Sequence, residues 1–353
     1  MEKNHRSVAR DCELKQLPHY AAQNNQNLTK PMSILTRKLI VGLLGGFIAS
    51  ASAQGATYPD KPVTIVVPYT AGGVTDVFGR AIAMKLSRKW EQTVIIENRA
   101  GGGTIIGTQH VSRAAPDGYT LLLTSYGFTS NPILRKSLPY DPASLTPLLL
   151  IGTSTNMLVI NAKLPYKDLA DVLKMAREKP GALILASSGN GSSPHVAAEL
   201  FAKASGIQIT HIPYKGTSPA MNDLLGGQVH GIFDGTSALG NVSTGKLRAI
   251  AIASAQRHPS APDTPTFREL GVDMVFGGWF GFFVPSAMSQ PLQDTIFKEI
   301  EASIADPEVN AIIAKTGLVI ENKTQEQFKL FLKNESERLK QLTESGGASI
   351  TVE

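Results

Sequence analysis

Short β-branched runs alternate with amphipathic segments of helical period along most of the chain. This leaves few architectures, because a strand, a helix and another strand bury their apolar faces together when the strands run parallel beneath covering helices. Residues 63–67 and 93–96 read as strands with a helix over 75–90 between them. A third strand over 120–124 follows Pro116-Asp117-Gly118, a turn whose Pro presets one backbone angle and whose Gly permits a positive one. One α/β unit is complete before about residue 145.

After Pro139-Tyr140-Asp141-Pro142 the pattern restarts. Strands over 148–151 and 157–160 and a helix over 167–178, ended by Pro180-Gly181, open a second unit. It continues through strands over 183–186, 208–212, 231–234 and 249–253, with helices over 193–204 and 217–225. Pro259, Pro262 and Pro265 then break the chain, and the remainder has an apolar strand over 280–284 and helices over 292–305, 308–315 and 325–344. That tail is too helix-rich for a third domain and is expected to rejoin the first unit. The chain then crosses between domains twice, near residues 151–157 and near Ala253, and two crossings make a hinge. The expected division is a first domain of 54–155 with 254–353 and a second of 156–253.

Residues 1–53 read as an export region. Arg37 and Lys38 precede an apolar run over 39–48 and the small residues Ala51-Ser52-Ala53, which predicts signal-peptide cleavage after Ala53 and a periplasmic protein. The run is about half the ~20 residues that span a bilayer. Residues 1–31 are polar and aperiodic, so Met32 is the expected start, with the signal peptide over 32–53. Removing 1–53 takes seven of 34 basic and three of 29 acidic residues, leaving 27 and 26, a net charge of +1. The basic isoelectric point therefore belongs to the removed segment, and nucleic acid is not expected as a partner. The single cysteine, Cys12, goes with it, so no disulfide, thiolate chemistry or lipid anchor is expected.

Two loops carry the candidate chemistry. Pro68-Tyr69-Thr70-Ala71-Gly72-Gly73-Val74-Thr75-Asp76 joins a strand to a helix, where orphan backbone N–H groups and the helix dipole favour an anion and the glycines allow close approach. Thr75 or Asp76 serves equally as a helix cap there, and an aspartate is a poor direct ligand for a carboxylate. Ala186-Ser187-Ser188-Gly189-Asn190-Gly191-Ser192-Ser193-Pro194-His195 repeats the design before a second helix. In that loop Ser193 reads as an N-cap and His195 as a residue packed at the first turn as readily as a ligand group, while Ser188 is the stronger ligand candidate.

Catalytic signatures are weak. Gly101-Gly102-Gly103-Thr104-Ile105-Ile106-Gly107 misses the G-x-G-x-x-G spacing by one residue and reads as a turn. Leu123-Thr124-Ser125-Tyr126-Gly127 lacks the first glycine of a nucleophile elbow. His110, His195, His211, His230 and His258 are scattered without ligand spacing, so neither a metal nor another cofactor is expected.

Eight motifs in order resemble the Bug-type receptors of tripartite tricarboxylate transporters: Tyr58-Pro59 with Lys61-Pro62, residues 68–76, Glu97-Asn98-Arg99, Ala115-Pro116-Asp117-Gly118-Tyr119-Thr120, Leu138-Pro139-Tyr140-Asp141-Pro142, residues 187–195, Pro213-Tyr214-Lys215-Gly216 and Asp223-Leu224-Leu225-Gly226-Gly227-Gln228. The resemblance covers essentially all of the chain after the export region. It implies two α/β domains in the type II periplasmic-binding arrangement, a small carboxylate held in the cleft partly through water, and membrane transporter subunits as partners. A non-enzymatic monomer is expected. The first-domain site it implies is Thr70, Ala71, Gly72, Gly73, Thr75 and Asp76, helped by Ser125 and Asn131. The second-domain side is Ser188, Gly189, Ser192, His195, Tyr214, Lys215, Gly216 and Asp234. Lys215 is the one full positive charge in that set, though a loop lysine also simply faces solvent. Asp234 would suit a ligand hydroxyl, an ammonium or a bridging water. Ile105, where a polar residue is common, and Gly235-Thr236 after Asp234 depart from the family pattern and bear on ligand identity. The alternatives are a secreted serine hydrolase using Ser125 or Ser192 with His195, and a periplasmic sensor subunit that presents its ligand to a signalling partner.

Overall fold

The computed structural model describes residues 58–344. The expected start at Met32, the signal peptide and the cleavage after Ala53 lie outside them. Two sheets organise the described chain. In the first, β1 (Val63–Val67) pairs in parallel with β2 (Val94–Asn98) and β3 (Thr120–Ser125). Beyond β3, with Ser125 opposite Phe280, the late strand β10 (Gly277–Pro285) is inserted antiparallel, followed by β4 (Leu145–Thr155) and β11 (Leu318–Lys323). The second sheet runs β7 (Ile209–Pro213), β6 (Leu183–Ser187), β8 (Gly231–Asp234), β5 (Met157–Asn161) and β9 (Leu247–Ile252). The chain is therefore α/β with two lobes, and it passes between sheets at β4 to β5 and again between β9 and β10.

Both sheets are mixed where the strand–helix alternation predicts parallel ones. The antiparallel pairings next to the crossings are β5 against β8 and β9, and β10 against β3 and β4, and the edge strand β11 also runs antiparallel to β4. A strand that enters a sheet directly from the other lobe has no covering helix to reverse it first, so it runs against its neighbours.

Some elements escape the sequence reading. Helix α1 (Val74–Trp90) lies where expected, but α2 (Ile105–Ser112) follows directly on the glycine run, after Thr104 in the left-handed region at φ 82°. Helix α3 (Gly127–Leu134) contains Pro132, which the short helix tolerates at its end, and β11 is a β-branched run hidden behind Gly317.

The helices that matter for the site are α4 (Leu169–Glu178), α5 (Ser193–Ser205) and α6 (Thr217–Gly226) on the second sheet. A single turn, α7 (Leu239–Ser243), precedes β9. On the first sheet Ile82 and Leu86 of α1 pack with Ile296, Ile300 and Ile304 of α8 (Gln290–Ala305) and Ile313 of α9 (Pro307–Lys315). The opposite face of that sheet joins a core shared with the second lobe. Leu122, Leu150 and Phe283 belong to the same buried cluster as Leu158, Phe201 and Phe233, together with Phe328 and Leu339 of α10 (Gln325–Glu344). Among the described residues no helix is long and apolar enough to cross a membrane.

Phe328 pins α10: it is fully buried, its ring centroid lies 5.5 Å from Trp279 and 5.3 Å from Phe283, and a Cβ added at Gly281 would come within 2.5 Å of it. Phe328→Ala is expected to cost about 3–5 kcal/mol in chemical denaturation, whereas Leu330→Ala, on the exposed side, should stay within about 0.5 kcal/mol. Equal effects would mean that α10 does not anchor through Phe328.

Candidate functional site

The carboxyl ends of β1, β3, β6 and β8 deliver the loops that meet between the lobes. Helix α1 begins at Gly73, an extended N-cap with no side-chain cap, so the N–H groups of its first turn have no intrahelical acceptor. Val77 N–H is the first to turn back, donating to Gly73 O at 3.0 Å. Asp76 looks inward instead: its carboxylate accepts from Gly72 N–H at 2.9 Å, Asn98 Nδ2 at 3.0 Å and Arg80 Nε at 2.9 Å. Burial pushes this carboxyl up, but the bonds from Arg80, Gly72 and Asn98 outweigh it and hold it below the ordinary aspartate value. Asp76 is the brace of the loop.

The second loop is braced in the same way. Ser187 Oγ accepts from Gly189 N–H at 3.1 Å and lies 2.6 Å from His211 Nε2. Gly191 N–H donates to His195 Nδ1 at 3.1 Å, which makes Nδ1 the unprotonated nitrogen and leaves the proton of neutral His195 on Nε2, 3.8 Å from Glu199. The His195 and His211 rings stack with centroids 4.0 Å apart. Ser192 caps α5 by accepting from His195 N–H at 3.5 Å, so Ser192 rather than Ser193 is the N-cap.

Two cavities open between the lobes. The inner one is tight, giving the centre of a water molecule about 50 Å³, and it is lined by Gly73, Val74 and Thr75 of the α1 terminus, Ser125, Ser188, Ser192, Ser193 and Asp234, with Tyr69 and Phe280 as aromatic walls. No Lys, Arg or His lines it. Asp234 is 6% exposed and accepts from Ser237 Oγ at 2.9 Å; burial pushes its carboxyl up to about 6, against the bonds from Ser237 and Gly235. Burial also raises the Tyr69 hydroxyl to about 12, beside Thr124 and Ser125. The outer cavity, about 290 Å³ on the same measure, is lined by Gly101, Gly102, Gly103, Arg135, Ser188, Gly189, Tyr214 and Lys215 among others.

Of the residues expected from sequence, Gly73, Thr75, Ser125, Ser188, Ser192 and Asp234 share the inner cavity. Gly189, Tyr214 and Lys215 line the outer one, where Tyr214 donates its hydroxyl to Asp223 at 2.6 Å. The remainder shape the loops. Asp76 and His195 are braces, and Gly72 supplies its N–H to the Asp76 brace. Asn131 Nδ2 donates to Gly103 O at 2.8 Å. Thr70, Ala71 and Gly216 make contacts between lobes: Thr70 N–H to Lys215 O at 3.2 Å, Ser218 Oγ to Ala71 O at 3.1 Å, and a Gly216 so close that a Cβ would lie 2.2 Å from Thr70 Oγ1.

Sequence reading missed Tyr69, Asn156, Ser193 and Phe280 in the inner cavity and Arg135 in the outer one. Asn156 carries a usable signal, closing the polar run Thr153-Ser154-Thr155-Asn156 between two apolar strands at the expected crossing. Arg135 carries none, because only the fold brings it beside the glycine run. No group of three or more His, Cys, Asp or Glu able to hold a metal occurs among the described residues. Ser192 meets the backbone of His195 rather than its ring, and Ser187, the serine that does meet a histidine ring, is fully buried.

Comparison with known proteins places this geometry. The model of the tripartite tricarboxylate transporter family receptors matches residues 78–347. Protein BugT of Bordetella pertussis is 34% identical over 328 residues, covering 90% of this chain and 99% of its own. The periplasmic binding protein BugD superposes with a TM-score of 0.78 at 32% identity, covering 82% of this chain and 98% of its own. The R. palustris protein Rpa4515, solved with adipate, gives 0.77 at 29% identity, covering 81% and 97%.

The histidine pair makes stability depend on pH. Burial pushes His195 down to about 4, and burial together with neighbouring His195 pushes His211 down to about 3. Below the ordinary histidine value near 6.5 the unfolded chain binds protons that the folded one refuses, so stability is expected to fall as the pH drops from about 6.5 towards 4. Asp234 and Glu199, both raised by burial, act in the opposite sense, since the folded state holds their protons more tightly. Asp234→Asn should therefore steepen the loss of unfolding free energy between pH 6.5 and 4.5. A flat or rising profile in Asp234→Asn would show that the stacked histidines are not held neutral.

Proposed function

Because the chain belongs to the tripartite tricarboxylate transporter receptor family, we propose that it captures a small carboxylate between its lobes and delivers it to membrane subunits of that transporter type. The observation that carries this reading is the uncapped first turn of α1 at Gly73, Val74 and Thr75, facing Ser188, Ser192 and Ser193 across a cavity without a cation. Such a site recognises a carboxylate by oriented N–H and O–H donors rather than by ion pairing. Rpa4515, of the same fold at 29% identity, was solved with adipate, which supports a carboxylate ligand.

On this reading the two lobes are the domains 54–155 with 254–353 and 156–253. The hinge lies at the two crossings, and the exported monomer begins at Gln54, which an intact-mass measurement of the periplasmic form checks. The protein turns nothing over: its serines lack a histidine ring oriented as a base in the cavity. A sensor role would need the same binding chemistry and a different partner, and capture of that partner separates it from transport.

Ligand at about 100 times its Kd should add about 2.7 kcal/mol to the folded state, enough for a thermal-shift panel of organic acids on refolded, ligand-free protein. Ser188→Ala is expected to weaken the best acid roughly tenfold. If uncharged solutes alone raise the melting temperature, the carboxylate reading is wrong.

A further inference from the structure

Two carboxylates are buried where the loops of the lobes meet, and their surroundings differ. Asp76, 3% exposed, is paired with Arg80 and also accepts from Gly72 N–H and Asn98 Nδ2. Asp234, 6% exposed, has no ion pair among the described residues; it accepts from Ser237 Oγ and from the N–H of Gly235. It is also the one acidic residue among the described lining of the inner cavity, where no cation stands beside it. We propose that the inner cavity takes its carboxylate together with one proton, which Asp234 draws from solvent as the solute enters. This rests on the reading of the inner cavity as the carboxylate site, and it makes Asp234 the group that couples capture to pH.

Like charge drives the uptake. With about 50 Å³ for the centre of a water molecule, the cavity has little room for solvent that would screen an entering carboxylate from Asp234. Two carboxylates sharing such a space do not both stay ionised, and one of them is driven to hold a proton. Burial has already pushed Asp234 up to about 6, against the bonds from Ser237 and Gly235, whereas a free carboxyl starts near about 4. Asp234 is therefore the group that takes the proton. Once protonated it offers an O–H where the ionised group had only acceptors, and so joins the N–H and O–H donors facing the solute. The balance is simple: one proton leaves the buffer, the Asp234 carboxylate becomes a carboxyl group, and the solute remains an anion.

The neighbours of Asp234 do not give the same response. Strands β5 and β6, which flank β8, carry no titratable side chain, and Met157 stands opposite Asp234. Helix α5, packed on β8, carries His195, Glu199 and Lys203, and α6 carries Asp223. Burial pushes His195 down to about 4, so it is neutral at pH 7 and stays so at pH 8. Glu199 lies beside His195, Lys203 donates to Leu342 O, and Asp223 accepts from Tyr214; none of them lines the inner cavity. From the first lobe, Tyr69 lines the cavity with its hydroxyl raised to about 12, and Asp76 is held ionised by its partners. Because ionised Asp234 opposes the solute, affinity is greatest below about 6 and falls as the pH rises.

The test is calorimetry on refolded, ligand-free protein with adipate, malate, hexanoate and benzoate, all essentially ionised at pH 7 and 8. Each titration is run in two buffers of different ionisation enthalpy, so that the protons exchanged on binding are counted. For each acid that binds, the parent chain should take up more than about 0.5 proton at pH 7, and its affinity should fall about threefold or more from pH 7 to 8. Asp234→Asn should take up less than about 0.2 proton and hold its affinity within about twofold over that range. Infrared difference spectra of the parent at pH 7 give a readout that needs no variant: adding the acid should convert one buried carboxylate band into a protonated carboxyl band. If the parent binds without proton uptake or without that band, or if Asp234→Asn takes up as many protons as the parent, the coupling is refuted and the carboxylate reading of the inner cavity stands. If no acid binds at either pH, both fall.

Discussion

Ala253 N–H donates to Asn156 O at 2.8 Å, Phe276 N–H to Ala253 O at 2.9 Å, and Asn156 N–H to Phe276 O at 3.4 Å. These bonds tie the outgoing and returning crossings of the chain to one another between the sheets. Asn156 extends the tie into the cavity, where its Nδ2 donates to Ser193 O at 3.4 Å in the first turn of α5. The seam therefore has a hydrogen-bonded pivot on one side, and the loops of both lobes face each other beyond it. Without such a pivot the strand ends that carry Ser125, Ser188 and Asp234 would have no defined relation.

Around that pivot the loops divide their donors into two sets. The N–H groups of Gly72, Gly189 and Gly191 are engaged within their own loops, by Asp76, Ser187 and His195. Those of the α1 first turn are left facing the inner cavity. The division is preorganisation: side chains buried behind the loops hold the backbone so that a ligand need not order it. It also explains why residues at ligand-like positions, Asp76 and His195 above all, are turned away from the cavity.

The sequence made the strands legible because β-branched runs of four to six residues between turn signals have few other readings. It made the loops legible because consecutive small residues before a helix mark backbone that something approaches. It did not separate a brace from a ligand group, since Asp76 and Thr75 are neighbours in sequence and only the position of Asn98, from a different strand, turns one inward. Nor did it reveal α3, where Pro132 disguises a helix, or Arg135, which acquires its role from a glycine run more than thirty residues away. The parallel-sheet expectation failed at the crossings for a topological reason that local periodicity does not encode.

Several hydrogen bonds cross the seam. Thr70 N–H to Lys215 O, Ser218 Oγ to Ala71 O and Ser130 Oγ to Gly191 O join the lobes directly. Neutral hydrogen bonds contribute about 0.5–1.5 kcal/mol each against water, so these three add only a few kcal/mol to the apolar core that the lobes share. A solute shifts the balance only through contacts it makes in the closed form and loses in the open one. Contacts to Thr75 on one lobe and Ser193 on the other meet that condition, whereas contacts within one loop do not. On the proposed reading the selectivity of the cleft is set by which molecules span the seam, and the glycine amides already paired within their own loops serve only to hold the backbone around it.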